Sequence, residues 1–364
     1  MTLHLYFARR FFMAFLGVTA IFTAILVLLD LVEQVRKFDG DNVSFADLIG
    51  LTLLHAPESL YGILPLVVIL TTLTLFLSLA RTSEMVVTRA AGRSAIKALN
   101  APVVVALLIG VVAVTVFNPL VAATTKTYES KADRFSSGTS SVMSISREGL
   151  WLRQGDGRNQ TVIRAERANL DGTELYGVTF IGFAPGSGPA YRIEADSARL
   201  APGAWEMRGV KEWRFDAANP ERDASEYPLF RLPSNLTRNQ ILDSFGTPSA
   251  IPIWELPAFI DQLKEAGFSA RKHLVWLHME LALPLLLVAM VLVGAVFTMR
   301  HIRFGRTGLM VMLALVMGFS LYFIRNFAQI LGENGQIPVL LAAYGPPLAA
   351  ILLPTGLLLH WEDG

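Results

Sequence analysis

APVVVALLIGVVAVTVFNPLVAA, Ala101–Ala123, carries no acidic or basic residue. A helix needs about 20 mostly apolar residues to cross the hydrocarbon of a bilayer, and this stretch meets that length. At Thr124 the chain turns polar, beginning TTKTYESKAD, and no comparable apolar run recurs until Leu281. The fold is decided at this junction, with a membrane span on one side and a large insertion on the other.

Five further runs share the pattern: Phe11–Leu29, Ser59–Ala80, Leu281–Met299, Thr307–Ile324 and Ile337–Leu359. None contains a charged residue, and Pro65, Pro119, Pro284, Pro346 and Pro347 interrupt them at points a membrane helix tolerates when neighbours satisfy the freed backbone groups. Of the 364 residues 53% are hydrophobic and 17% charged, against roughly 25% charged in soluble domains. The first run follows Arg9 and Arg10 as a secretion signal would, but it is longer than the roughly 7–15 residues of a signal core and no small-residue cleavage site follows. We expect it to stay as an uncleaved first span.

Between the third and fourth spans the pattern changes period. Val142–Arg153, Asn159–Ala165, Leu175–Phe183, Tyr191–Ala198 and Trp205–Phe215 are short runs rich in Val, Ile, Tyr, Phe and Trp, punctuated by Gly155-Asp156-Gly157, Asp171-Gly172, Pro185-Gly186-Ser187-Gly188 and Pro202-Gly203. Such spacing predicts an antiparallel sandwich or jelly roll. Asn219–Ser234 reads as loop leading to a further strand. Leu256, Phe259, Ile260 and Leu263 then recur at helical spacing, predicting an amphipathic helix over Ile253–Glu265 that either packs on the sheet or lies in the interface.

The expected fold class is therefore membrane α-helical, with six transmembrane helices and an inserted all-β, jelly-roll-like domain. The expected divisions are 1–123, 124–252 for the β domain, 253–272 for the amphipathic helix, and 273–364.

Lys and Arg in the short loops set the orientation. With the N-terminus cytoplasmic, that side holds Arg9, Arg10, Arg81, Arg89, Arg93, Lys97, Arg300, Arg303 and Arg306. The short loops opposite hold Arg36, Lys37 and Arg325 among many acids. Both termini are expected inside and the β domain outside.

The net charge of +1 argues against nucleic acid as a partner, and the absence of cysteine removes thiolate chemistry. There is no Gly-Lys-Ser/Thr phosphate loop, no G-x-S-x-G and no H-E-x-x-H, and the six histidines are scattered. No enzyme, no cofactor and no metal site is expected.

Two features carry chemistry instead. Charged and polar residues gather at the outer ends of the spans: Asp30, Glu33, Arg36 and Lys37; His55 and Glu58; Arg271, Lys272, His273, His278 and Glu280; Arg325, Asn326 and Gln329. Charge at membrane depth is costly, so it pairs or lines a polar cavity. We expect Asp30 to pair with Arg325, and Arg36, Lys37 and Arg325 to meet the phosphates of an amphiphile, where charge-assisted hydrogen bonds are strong. The second feature is the inner loop RTSEMVVTRAAGRSAIK, Arg81–Lys97. Ser83 can cap a short helix over about 82–92 with Glu84 in its first turn and Gly92 at its end. We expect it to dock into a cleft of a cytoplasmic partner, with Glu84 as the specificity contact.

LVEQVRKF (Leu31–Phe38), SEMVVTRAAG (Ser83–Gly92) and IWELPAFIDQLKEAG (Ile253–Gly267) resemble segments at the same places in the lipopolysaccharide-export permeases of the LptF/LptG family. The second resembles that family's S-E-[LM]-x-x-x-[RQ]-A-x-G coupling helix, with Glu84, Met85, Arg89 and Gly92 at the matching positions. The EQVRK run, Glu33–Lys37, is more like LptG than LptF. The resemblance covers the whole chain. It implies a permease subunit of an ABC transporter that extracts lipopolysaccharide from the inner membrane and passes it toward the outer membrane. It also implies the partners: an LptF-like sister permease, an LptB-like ATPase dimer and an LptC-like single-span protein. One departure stands out. The family pattern has a basic residue in span one where this chain has Asp30, and an acid in span five where it has Arg325. A permease for another envelope lipid or lipoprotein is the alternative, and the phosphate-addressing residues Arg36, Lys37 and Arg325 discriminate against a lipoprotein.

Overall fold

A computed structural model describes residues 2–38, 43–84, 95–135, 144–146, 149–155, 160–169, 172–184, 187–217, 219–234, 236–237, 241, 247–265, 269–299 and 307–362. They form two units. One joins Met1–Phe135, Ser249–Trp254 and Arg271–Gly364; the other joins Ser136–Pro248 and Glu255–Ala270.

The helical unit begins with α1 (Thr2–Lys37) and α2 (Phe45–Arg81). Ser44 and Asp47 close the start of α2 as a capping box: the Asp47 N–H donates to Ser44 Oγ at 3.2 Å, and the Ser44 N–H to Asp47 Oδ2 at 3.3 Å. Next come α3 (Ala95–Val112), a π-helical turn (Ala113–Phe117) and α4 (Asn118–Phe135). Pro119 explains the widened turn. It has no N–H to give the carbonyl of Thr115, and the ladder adjusts by bonding the Asn118 N–H to Ala113 O.

After the insertion come α6 (Arg271–Leu281), α7 (Leu283–Thr298), α8 (Thr307–Glu333) and α9 (Val339–Glu362). The axis bends by 50° between α6 and α7. Pro284 is the cause, since its ring crowds the carbonyl of Glu280 one turn back and it donates no hydrogen bond there.

Among the described residues, five helical stretches are long and apolar enough to cross a membrane, and six when the bent α6–α7 pair is one span. The span expected at Phe11–Leu29 is the middle of a much longer helix.

These helices approach closely through small residues, as membrane helices do in the absence of a hydrophobic drive between them. A Cβ added at Gly110 would lie 2.5 Å from Pro284 Cα, and one at Gly294 would lie 2.9 Å from Thr72 Cγ2. The core lies around α7, where Leu286, Leu287, Met290, Val291 and Val293 are buried with Val68, Ile69 and Phe76 of α2. By contrast α1 lies at the edge. Only 6% of its apolar window is buried, against 61% for α2.

The second unit is a single antiparallel sheet. Its strands are β1 (Ser144–Ser146), β2 (Gly149–Gly155), β3 (Gln160–Ala168), β4 (Glu174–Ala184), β5 (Ser187–Ala201), β6 (Ala204–Arg214) and β7 (Ser225–Pro233). They pair in sequence order, so the connectivity is a meander. The expected run Val142–Arg153 is two strands, which pair with Ile145 opposite Leu150. The further strand expected in Asn219–Ser234 is β7, on which Tyr227 and Leu229 are exposed along with the polar positions.

Alternate residues of each strand turn inward. Leu152, Ile163, Phe180, Ile193 and Met207 are buried, and Phe180 meets Trp205 edge-on at 6.1 Å between ring centroids. Trp205 keeps its indole N–H satisfied by Gln154 Oε1 at 3.1 Å. The tight turn between β5 and β6 uses Pro202-Gly203, with Gly203 at φ +79° where a side chain would be strained. The amphipathic helix α5 (Leu256–Glu265) buries Leu256, Ile260 and Leu263 and packs against β1. It starts later than the expected Ile253, because Ile253 and Trp254 pack with the helical unit.

Candidate functional site

Charged side chains gather at both ends of the helical unit and at one point inside it. At the end from which the β unit is inserted, Asp30 and Gln34 sit one turn apart on α1 and so share a face. Gln34 Nε2 donates to Asp30 Oδ1 at 3.4 Å and to Tyr128 Oη of α4 at 3.1 Å. His55 of α2 brings Nδ1 within 2.6 Å of Asp30 Oδ1 and stacks on Tyr128 at 4.9 Å. Asp30 is only 7% exposed, and the Gln34 and His55 contacts converge on its Oδ1. Glu58, three residues beyond His55, accepts from Thr125 at 2.8 Å and from Ser249 at 3.1 Å.

Arg36 and Lys37 close α1, where cations complement the helix dipole. Both are exposed, and Lys37 Nζ lies 5.5 Å from the ring centre of Phe38 and 5.9 Å from that of Tyr128.

The pairing expected between Asp30 and Arg325 is not what the structure places together. Arg325 of α8 donates to Asn326 Oδ1 at 3.4 Å and shares an electrostatic field with Glu280. The reason lies in helix neighbours. α1 packs on α2 and α3, whereas α8 packs on α2, α6, α7 and α9.

The internal point is a node around Glu280, which is 2% exposed at the end of α6. Tyr61 of α2 donates its hydroxyl to Glu280 Oε2, and Asn118 Nδ2 donates to the same oxygen at 3.2 Å. The other end of the Asn118 amide accepts the N–H of Ile253 at 3.0 Å. Trp254 Nε1 donates to the Thr115 carbonyl at 3.3 Å, the group that Pro119 leaves without its helical donor. The segment Ser249–Trp254 is thereby stitched to α2, the π turn and α4.

Tyr61 and Asn118 escaped the sequence reading because each sits alone in an apolar run. The Asn-Pro pair at 118–119 was the available signal.

At the opposite end Glu84 lies three residues beyond Arg81, the last residue of α2. Arg10 Nη1 donates to its two oxygens at 2.7 and 2.8 Å, Tyr6 Oη donates at 2.8 Å and Thr82 Oγ1 at 2.7 Å. Ser83 before it has φ +54°, an uncommon conformation for a residue with a side chain. Burial pushes the Glu84 carboxyl up, but the hydrogen bonds from Thr82, Tyr6 and Arg10 outweigh it, and its pKa lies below the ordinary carboxylate value. A carboxylate lowered on folding contributes stability that is complete above its unfolded pKa and is lost as pH falls through the lowered one. The Glu84 contacts should accordingly persist unchanged from about pH 8 down to the ordinary carboxylate value near 4.3. A carbon-detected NMR titration of the labelled Glu84 carboxyl checks this: a midpoint at or above the ordinary value would contradict it. The other coupling-helix positions, Met85, Arg89 and Gly92, lie outside the described residues.

The family model of the lipopolysaccharide export system permease LptF/LptG matches residues 5–360. A comparison with curated proteins returns no match. With nearly its whole length covered, the chain belongs to the LptF/LptG family of lipopolysaccharide export permeases. It is a transport subunit and not an enzyme, and the match does not separate LptF from LptG.

Proposed function

We propose, from this membership, that the chain is the LptG-like half of an ABC exporter that lifts lipopolysaccharide out of the inner membrane. An LptF-like permease completes the cavity, an LptB-like ATPase dimer supplies the drive, and an LptC-like single-span protein joins them. Both termini face the cytoplasm, as the Lys and Arg distribution requires, and the β unit stands in the periplasm. No cofactor takes part. The observation that carries this reading is the family match over residues 5–360 in a chain whose α1 is an edge helix, with 6% of its apolar window buried. An edge helix of this kind leaves its apolar face for acyl chains and for the sister permease.

Arg36, Lys37 and Arg325 would meet the phosphates of the lipid, each through a charge-assisted hydrogen bond. The acyl chains cannot enter water unaided, because each exposed CH₂ costs about 0.8 kcal/mol. The exposed apolar residues of the strands, Tyr176, Phe183, Tyr227 and Leu229, offer contacts for them. In transport, ATP closes the ATPase dimer, the segment beginning at Glu84 carries that motion into the helices, and the lipid is expelled toward the β unit.

Affinity purification in mild detergent tests the assembly. The expected result is co-purification of one ATPase and one sister permease. Recovery of the chain alone, or with an unrelated partner, would overturn the assignment.

A further inference from the structure

The Glu84 contacts reach back 74 residues in sequence to Arg10, on the far side of an interhelical boundary. An exposed ion pair of this kind is ordinarily worth little. This one differs in construction. Arg10 places Nη1 on both carboxylate oxygens, and Tyr6 and Thr82 add two further donors. Arg10 and Glu84 are each only 31% exposed at the side chain. Arg10 Nη2 also reaches Ser78 Oγ at 3.5 Å, and its guanidinium lies 5.4 Å from the ring centre of Tyr6. Phe7 and Phe11, on either side of this cluster, are buried at 2% and 0% exposure and fix the same end of α1 against the core.

At its other end α1 is fastened to α2 a second time, through Asp30 and His55 at 2.6 Å. Arg10 and Asp30 are separated by roughly 30 Å of helix at 1.5 Å per residue. Between them α1 presents an exposed apolar face of Ile21, Ile25 and Leu28. α1 is one continuous helix, pinned by a polar clamp at each end in addition to its packing on α2 and α3.

We infer that Arg10 and Tyr6 are positioning residues that make α1 the driven lever: a displacement of the segment beginning at Glu84 is carried by the clamp into α1 and delivered to Arg36 and Lys37 at its far end. The inference rests on the proposed function, because it takes Glu84 to open the segment on which the ATPase acts. It adds that this force enters α1 as well as α2, and that Glu84 faces inward, onto its own chain. Loss of the clamp leaves the ATPase free to cycle while the rim carrying Arg36 and Lys37 fails to follow.

The test is made on the assembled complex in lipid nanodiscs, retaining Glu84. Lipopolysaccharide released per ATP hydrolysed should fall about tenfold in Arg10→Gln, which removes a charged donor. It should recover part of the way in Arg10→Lys, which keeps the charge but loses the two-oxygen contact. Because the chain has no cysteine, nitroxides placed through Leu5→Cys and Arg81→Cys report the separation of the clamped ends. That separation should stay narrow through the ATP cycle in the wild type and broaden in Arg10→Gln. Tyr6→Phe removes one donor with almost no change of bulk, and gives the same two readouts where the arginine variant fails to assemble. Normal release per ATP with an unchanged distance distribution would overturn the lever. A failure of the proposed function looks different, since wild-type complex would then release no lipopolysaccharide in response to ATP.

Discussion

Glu84→Lys should lower ATP-driven release of lipopolysaccharide by tenfold or more while the chain still folds and still holds lipid. The substitution sets a cation against Arg10 and removes the acceptor that Tyr6 and Thr82 share, so three contacts are lost and one repulsion is gained. Each lost charge-assisted hydrogen bond is worth about 1.5–3 kcal/mol, and about 1.4 kcal/mol suffices for a factor of ten. The Glu84 side chain is itself 31% exposed, which is why folding should survive. Release assays on the reconstituted complex, beside thermal unfolding of the same preparation, make the comparison. Unchanged release by the mutant would remove Glu84 from the drive.

Glu280→Leu should be the most destabilising single change in the helical unit. The carboxylate is 2% exposed, and it receives the Tyr61 hydroxyl and the Asn118 amide while facing Arg325. Leucine fills the volume and leaves those donors without an acceptor and the guanidinium without its counter-charge. Removing one partner from a buried charged cluster costs about 3–5 kcal/mol. Glu280→Gln keeps an oxygen for both donors and loses the charge, and should cost about 1–3 kcal/mol. Unfolding in mixed micelles measures both. A leucine variant no less stable than the glutamine variant would show that the node does not hold α2, α4 and α6 together.

The architecture was legible because its signals are long and local. Uncharged apolar runs marked the spans, and alternating runs set off by Pro202-Gly203 and similar pairs marked the strands. The bend before Pro284 and the widened turn before Pro119 follow from proline's missing donor, which is also local.

What escaped was which helix lies against which. Asp30 and Arg325 are opposite charges near the ends of apolar runs, and nothing in their spacing reveals that α1 and α8 have different neighbours. His55 was visible as a polar residue before the second span, but its role needed the stacking on Tyr128 of α4. Glu84 was expected to be the acid of a docking segment; its hold on Arg10 and Tyr6 spans more than seventy residues and depends on α1 and α2 running side by side. The buried node was hidden for the same reason, because Tyr61, Asn118 and Glu280 come from three separate segments.

The central claim is that this permease moves lipopolysaccharide at the expense of ATP. It is tested most directly by the lipid retained on the purified complex, identified by mass spectrometry before and after ATP is added with a lipid acceptor present. The account predicts bound lipopolysaccharide that leaves when ATP is hydrolysed and stays when it is not. A different lipid in the complex, or lipopolysaccharide whose departure is indifferent to ATP, would contradict it.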